Sequence, residues 1–183
     1  MSRQSRHVEP EGALQIARHY VRELIYGAND GIITTFAVVA GVSGGGLSLR
    51  VVLIIGAANL FADGLSMGVG NYLSIRAHES VLEAQQLPEE EAAPFRHGSA
   101  TFLAFVLAGI VPLTPYMIPA LQMDRFALST VSTLLALFAV GASRALIANI
   151  RWWRGGLEML VLGAVVAAAA YYGGAAVAAL LPG

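Results

Sequence analysis

The sequence predicts an all-α integral membrane protein with five transmembrane helices, and three observations carry that prediction. The 183 residues are 56% hydrophobic and only 13% charged, with a mean hydropathy of +0.65, well beyond what a soluble domain needs to fill its core. Five apolar stretches recur along the chain, each long enough for a helix to cross a hydrocarbon core, which takes about 20 residues. None shows the period-two alternation of an outer-membrane barrel, so helices, which satisfy their own backbone, are the remaining way through lipid.

Residues 1–26 form a polar tail and an amphipathic interfacial helix. Arg3, Arg6, His7, Arg18, His19 and Arg22 supply its charge, and it lacks the apolar stretch and small-residue cleavage site of a signal peptide. From Glu11 to Tyr26, Leu14, Ala17, Val21, Leu24 and Ile25 recur at helical spacing against Arg18, His19 and Arg22, the pattern of a helix lying on a membrane surface. Residues 27–183 form the transmembrane domain, with spans at about 27–49, 51–75, 101–118, 126–147 and 157–181. The first two spans join through a tight turn at Ser43–Ser48, where Gly44, Gly45 and Gly46 supply permissive dihedrals. The short segment 76–97 continues the second helix through His78, Glu79, Glu83 and Gln86, breaks at Pro88 and returns by Pro94. Pro112, Pro115 and Pro119 predict a kink or an end in the third span. The last span is rich in Ala and Gly and suits close helix packing. Gly64–Gly68 and Gly163–Ala167 fit a small-xxx-small pattern, a spacing that also arises by chance.

Arginine sets the orientation. With the N-terminus in the cytoplasm, the inner segments hold Arg3, Arg6, Arg18, Arg22, Arg76, Arg96, Arg144, Arg151 and Arg154, and the outer loops only Arg50 and Arg125. Trp152 and Trp153 then anchor the inner interface.

The chain has no cysteine, which excludes disulfides, thiolate metal sites and thiol catalysis and leaves Asp, Glu, His, Met, Asn and backbone carbonyls as ligands. Three acids lie within or at the edge of apolar runs. Asp30 near the start of the first span is either a helix-entry cap or a functional carboxylate. Glu158 beside Arg154 reads as an ion pair or a helix-start residue. Asp63 sits mid-span, where a charge costs a few kcal/mol and neither capping nor snorkelling applies. Asn59 and Met67 lie one turn to either side of it on the same helical face. A stripe of carboxylate, amide and thioether suits a first-row divalent ion better than Mg2+ or Ca2+, which prefer all-oxygen shells; the bland alternative is an Asp that glues helices together. Glu79, Glu83, Glu89, Glu90 and Glu91 either collect cations at the inner mouth or form an ordinary solvated face. No phosphate-cradling loop, HExxH pattern or Ser/His/Asp set marks an enzyme, no resident cofactor is implied, and no basic aromatic groove suits nucleic acid.

Taken in order, several motifs resemble the vacuolar iron transporter family. They are Tyr26–Gly31 with Val39–Gly44 in the first span, and Leu65–Gly68 with Gly70 and Tyr72–Ser74 in the second. Further on come Val111–Leu113 with Pro115 and Tyr116, and Trp153 with Gly156–Met159. The resemblance implies a five-helix homodimer whose metal path runs between the two copies of the first helix, lined also by the second. It implies that Asp30 is the acid needed for translocation, Met67 the methionine of the second span, and Glu23 an acid at the cytoplasmic mouth. The sequence departs from the family in two places. The family's glutamate position is Asn59 here, and Asp63 stands where a small residue is usual, so the carboxylate has moved one turn, about 6 Å, toward the cytoplasm. The long Glu-rich module between the second and third spans is replaced by segment 76–97, too short for a helical bundle.

The expected function is export of Fe2+ or Mn2+ from the cytoplasm by proton exchange, in a bacterial inner membrane, with the lipid bilayer, the metal substrate and a second copy as partners. Desolvation favours the protonated carboxyl and a bound cation the ionised one, which links metal binding to proton release. The rival is a non-transporting membrane subunit whose polar stripe serves helix packing or partner binding.

Overall fold

The computed structural model describes residues 12–147 and 151–180, so the tail before Gly12 and the last residue of the expected fifth span lie outside the described residues. Its helices are α1 (Ala13–His19), α2 (Val21–Gly44), α3 (Leu49–Ala84), α4 (Pro94–Gly109), α5 (Thr114–Met117), α6 (Arg125–Ile147) and α7 (Trp152–Leu180), with one 3-10 turn at Val111–Leu113 and no β-strand among the described residues. Among the described residues, five helical segments are long and apolar enough to cross a membrane: Val21–Gly44, Leu49–Ala84, Pro94–Met117, Arg125–Ala145 and Trp152–Leu180.

The expected interfacial helix is shorter than its apolar pattern suggested. It ends at His19, the backbone leaves helical geometry at Tyr20 (φ −95°, ψ 10°), and α2 starts at Val21 rather than Gly27. Gly27 does not interrupt it, because a side chain there would strike the Thr101 carbonyl of α4; the glycine is a helix contact, not a boundary. The turn after α2 closes as a Schellman motif. Gly46 at φ 69° donates its N–H to Ser43 and Leu47 to Val42, at 3.0 and 3.1 Å.

The α3 helix has 36 residues and a length of about 54 Å, longer than a hydrocarbon core of about 30 Å, so it projects beyond it. It stops at Ala84, before Pro88, through the same device. Gln86 takes the left-handed conformation (φ 58°) while the Gln86 and Leu87 N–H groups return to Glu83 and Leu82 at 3.0 and 2.9 Å. Pro94 stands in the first turn of α4, where its missing N–H costs nothing, so this helix begins before the expected Thr101. The prolines end α4 as expected, and Ser129 on α6 donates to the Pro112 carbonyl at 2.7 Å, supplying a partner where the helix ladder is broken. Asp124 caps α6 by accepting the Phe126 and Ala127 N–H groups at 2.9 and 3.3 Å. The α7 helix includes Trp152 and Trp153, both exposed, with the Arg154 guanidinium over the Trp153 ring at 5.3 Å.

Packing is organised around α2, which touches all the other membrane-crossing segments. Phe36, Val39 and Val42 of α2 share a core with Val52, Leu60, Phe105, Leu113 and Tyr116, and Ile32 meets Leu137 and Met159 on the other side. Without a hydrophobic drive in lipid, close backbone approach becomes the main attraction. A Cβ at Gly31 would run into the Phe105 backbone of α4, and one at Gly68 would meet the Gly98 carbonyl. The Gly64–Gly68 pair is therefore a true helix contact. Outward positions carry Ile54, Phe61, Leu65, Leu107, Leu135 and Val165.

Candidate functional site

The buried face of α3 runs Val52, Gly56, Leu60, Gly64, Gly68, one residue per i+4 step. Immediately before each of the last three stands a half-buried residue: Asn59, Asp63 and Met67. The row continues through Asn71, Ile75 and Glu79, all half-buried, along a ridge that winds slowly round the helix. Asn71 was not anticipated, although four-residue spacing from Met67 points to it. Its amide donates to the Thr101 hydroxyl at 2.9 Å. Met67 packs against the aromatic core, so its thioether sits at the boundary between packing and the polar row.

Asp30 lies inside α2, two and a half turns past Val21, so it is not a helix cap. Its backbone carbonyl accepts the Thr34 hydroxyl at 2.7 Å. The half-buried carboxylate is close enough to that of Asp63 on α3 for the two to repel when both are charged. The acids of the first two spans thus stand on different helices within electrostatic range of one another, and Asp63 belongs to a row that also holds amide and thioether groups.

The other predicted residues fall elsewhere. Glu23 is buried at the arginine-rich end, accepts Arg22 Nε and Nη2 at 3.1 and 2.9 Å, and places Oε1 3.2 Å from His97 Nδ1. The acidic run divides by role. Glu79 accepts the Glu90 and Glu91 N–H groups at 3.0 and 2.8 Å and so folds the α3–α4 connection back on α3. Glu90 faces His78 at 3.2 Å, Glu83 is exposed, Glu89 is half-buried, and Glu91 meets His97 Nε2 at 2.9 Å. Glu158 forms the expected kind of ion pair, but with Arg144 of the neighbouring helix α6 rather than with Arg154.

Sequence pattern marks His19 only as part of the polar face of the interfacial helix and does not single out His97 at all. His19 stands four residues before Glu23, a helical spacing that hinted at proximity, but nothing local links either to His97. A cavity of about 480 Å³ opens between His97 and the end of α3, lined by Arg22, Ser74, Ile75, His78, Glu79, Glu90, Glu91 and His97. The lower end of the α3 row, at Ile75 and Glu79, forms part of its wall.

The sequence profile of the VIT family matches residues 21–93 and 81–175 of this chain. The chain is 28% identical to vacuolar iron transporter 1 of Arabidopsis thaliana, over 86% of this chain and 90% of the relative. It is 27% identical to vacuolar iron transporter 1 of Eucalyptus grandis over 81% and 83% of the two. A shorter stretch of 71 residues is 46% identical to a vacuolar iron transporter of Toxoplasma gondii, covering 39% of this chain and 24% of that protein.

Proposed function

The chain belongs to the VIT family, and on that premise we propose that it carries Fe2+ or Mn2+ out of the cytoplasm in exchange for protons. What supports this reading is that Asp30 on α2 lies within electrostatic range of Asp63 on α3, the latter in a half-buried row of ligand-bearing side chains. Two acids held at membrane depth are costly unless they serve an ion. Together with the Asn59 amide oxygen and the Met67 sulfur they offer the mixed donor set that a borderline divalent ion accepts.

These donors are only half-buried in a single chain. Beside them on α3 runs a second, exposed row of small side chains, Ala58, Ala62, Ser66 and Gly70, which suits close approach of another helix. A homodimer places each donor twice around a two-fold axis and completes a shell that one chain leaves open. In this reading the arginine-rich end, with Arg22, Arg76, Arg96, Arg144, Arg151 and Arg154, faces the cytoplasm of a bacterial inner membrane. Protons exchange for metal because a carboxyl must be ionised to bind the cation and is more stable protonated when the site is dry and empty.

The test is uptake of radioactive Mn2+ or of Fe2+ into proteoliposomes under an imposed pH gradient. Flux that follows the gradient and falls to the level of empty vesicles in Asp30→Asn and Met67→Ala is the expected result. No flux, or flux indifferent to both substitutions in well-folded protein, overturns the reading.

A further inference from the structure

Outside the Asp30–Asp63 row, side chains from three separate pieces of chain converge at the arginine-rich end: His19 closing α1, Glu91 in the α3–α4 connection and His97 in the first turn of α4. One donor atom from each lies within 4.8 Å of the others. Glu91 Oε2 is 2.9 Å from His97 Nε2 and 3.5 Å from His19 Nε2. From these contacts we propose that His19, Glu91 and His97 form a binding site for a divalent first-row metal ion, separate from the Asp30–Asp63 row.

The donor chemistry supports it. Two imidazoles and one carboxylate on one side of an open position are the set that binds Fe2+, and the same donors suit Mn2+ or Zn2+. Behind the set stands the arrangement that metal-binding histidines characteristically use. Glu23 Oε1 lies 3.2 Å from His97 Nδ1, a carboxylate behind the ring, while Nε2 on the other side faces Glu91 and His19. His97 is buried, yet neither of its ring nitrogens makes a well-aligned hydrogen bond despite these short distances. A metal ion drawing the three donors inward gives Nε2 its partner. The cavity of about 480 Å³ reaches Glu91 and His97 and provides an entry path. Such an ion also ties α1 and the α3–α4 connection to α4, doing with three side chains what a larger binding module would do with many.

Its service as a loading station rests on the transport reading, but binding itself does not, and the ligand type separates the two. The proposed path offers carboxylate, amide oxygen and thioether, whereas this site offers imidazole nitrogen. The full chain in detergent is titrated with Mn2+ and read by electron paramagnetic resonance, free ion from the continuous-wave signal and nitrogen coupling from pulsed spectra. The expected result is nitrogen-coupled Mn2+ whose affinity falls at least about tenfold in His19→Ala and in His97→Gln, with the coupling gone in the double variant. Glu23→Gln weakens binding by about tenfold while the coupling persists, as expected of a residue acting through the ring it orients. Asp30→Asn leaves the nitrogen coupling unchanged even where it abolishes flux, and so does His78→Ala. No nitrogen coupling in the unaltered chain, or coupling that survives the His19/His97 double variant, overturns the site. Should substitution of buried His97 unfold the chain, His19→Ala decides alone: tenfold weaker binding supports the site and unchanged affinity overturns it.

Discussion

The two sides of α2 are built on opposite rules. Toward α4 it presents Gly27 and Gly31, and backbone meets backbone so closely that even a methyl group strikes the Phe105 main chain. Toward α3 it presents Asp30, half-buried and within electrostatic range of Asp63, on the same helix whose Phe36 and Val39 share a core with Val52 and Leu60. A transporter needs both. The tight side holds the helix at a fixed depth and rotation, and under the proposed function the side that carries Asp30 is the one that meets the ion.

Breaking the tight side has the largest expected effect. Gly31→Ala overpacks an unyielding backbone contact and costs about 3 kcal/mol, seen as a lower midpoint for thermal aggregation in detergent and poor expression. By contrast Gly70→Ala, where a Cβ would meet nothing within 4 Å in one chain, leaves the chain folded; any loss appears in the oligomeric state by size-exclusion with light scattering.

The side toward α3 is sharpened by moving its charge rather than removing it. Asp63→Gly alone reduces metal flux by more than about tenfold, while Asn59→Glu with Asp63→Gly restores most of it, because the acid returns to the neighbouring turn of the same row. Loss of flux in the double variant at normal expression separates the two positions and counts against the shift of the carboxylate along α3. The smallest effect lies far from both sides. Gln86→Gly relieves a left-handed residue at the end of α3 and raises stability by about 0.5–1 kcal/mol without altering flux, readable as a modest rise in the same aggregation midpoint.

Much of this was legible from residue pattern alone. Five apolar runs gave five membrane-crossing segments, the glycine turn and the proline-terminated third span fell where the chain chemistry put them, and Asn59, Asp63 and Met67 share one helical row. Helix starts were legible least, because Val21, Pro94 and Trp152 begin helices within stretches whose polar residues look like loop. Those residues, Glu23 and His97 above all, are buried against partners far away in sequence. The acidic run shows the same limit. Local reading treated Glu79 through Glu91 as one patch, yet Glu79 binds backbone N–H groups and Glu91 joins two histidines, a division that only the fold of segment 76–97 produces. For Asp30 helical context decided the matter: once α2 begins at Val21, no cap remains for the carboxylate to make.

Whether Asp30 and Asp63 act as one unit on the metal is tested by initial Mn2+ flux in proteoliposomes, measured for Asp30→Asn, Asp63→Asn and the two combined. If the acids share the ion, each single variant lowers the rate by more than about tenfold and the double variant is no worse than the poorer single one. Losses that multiply in the double variant, or full flux in Asp63→Asn, would contradict it.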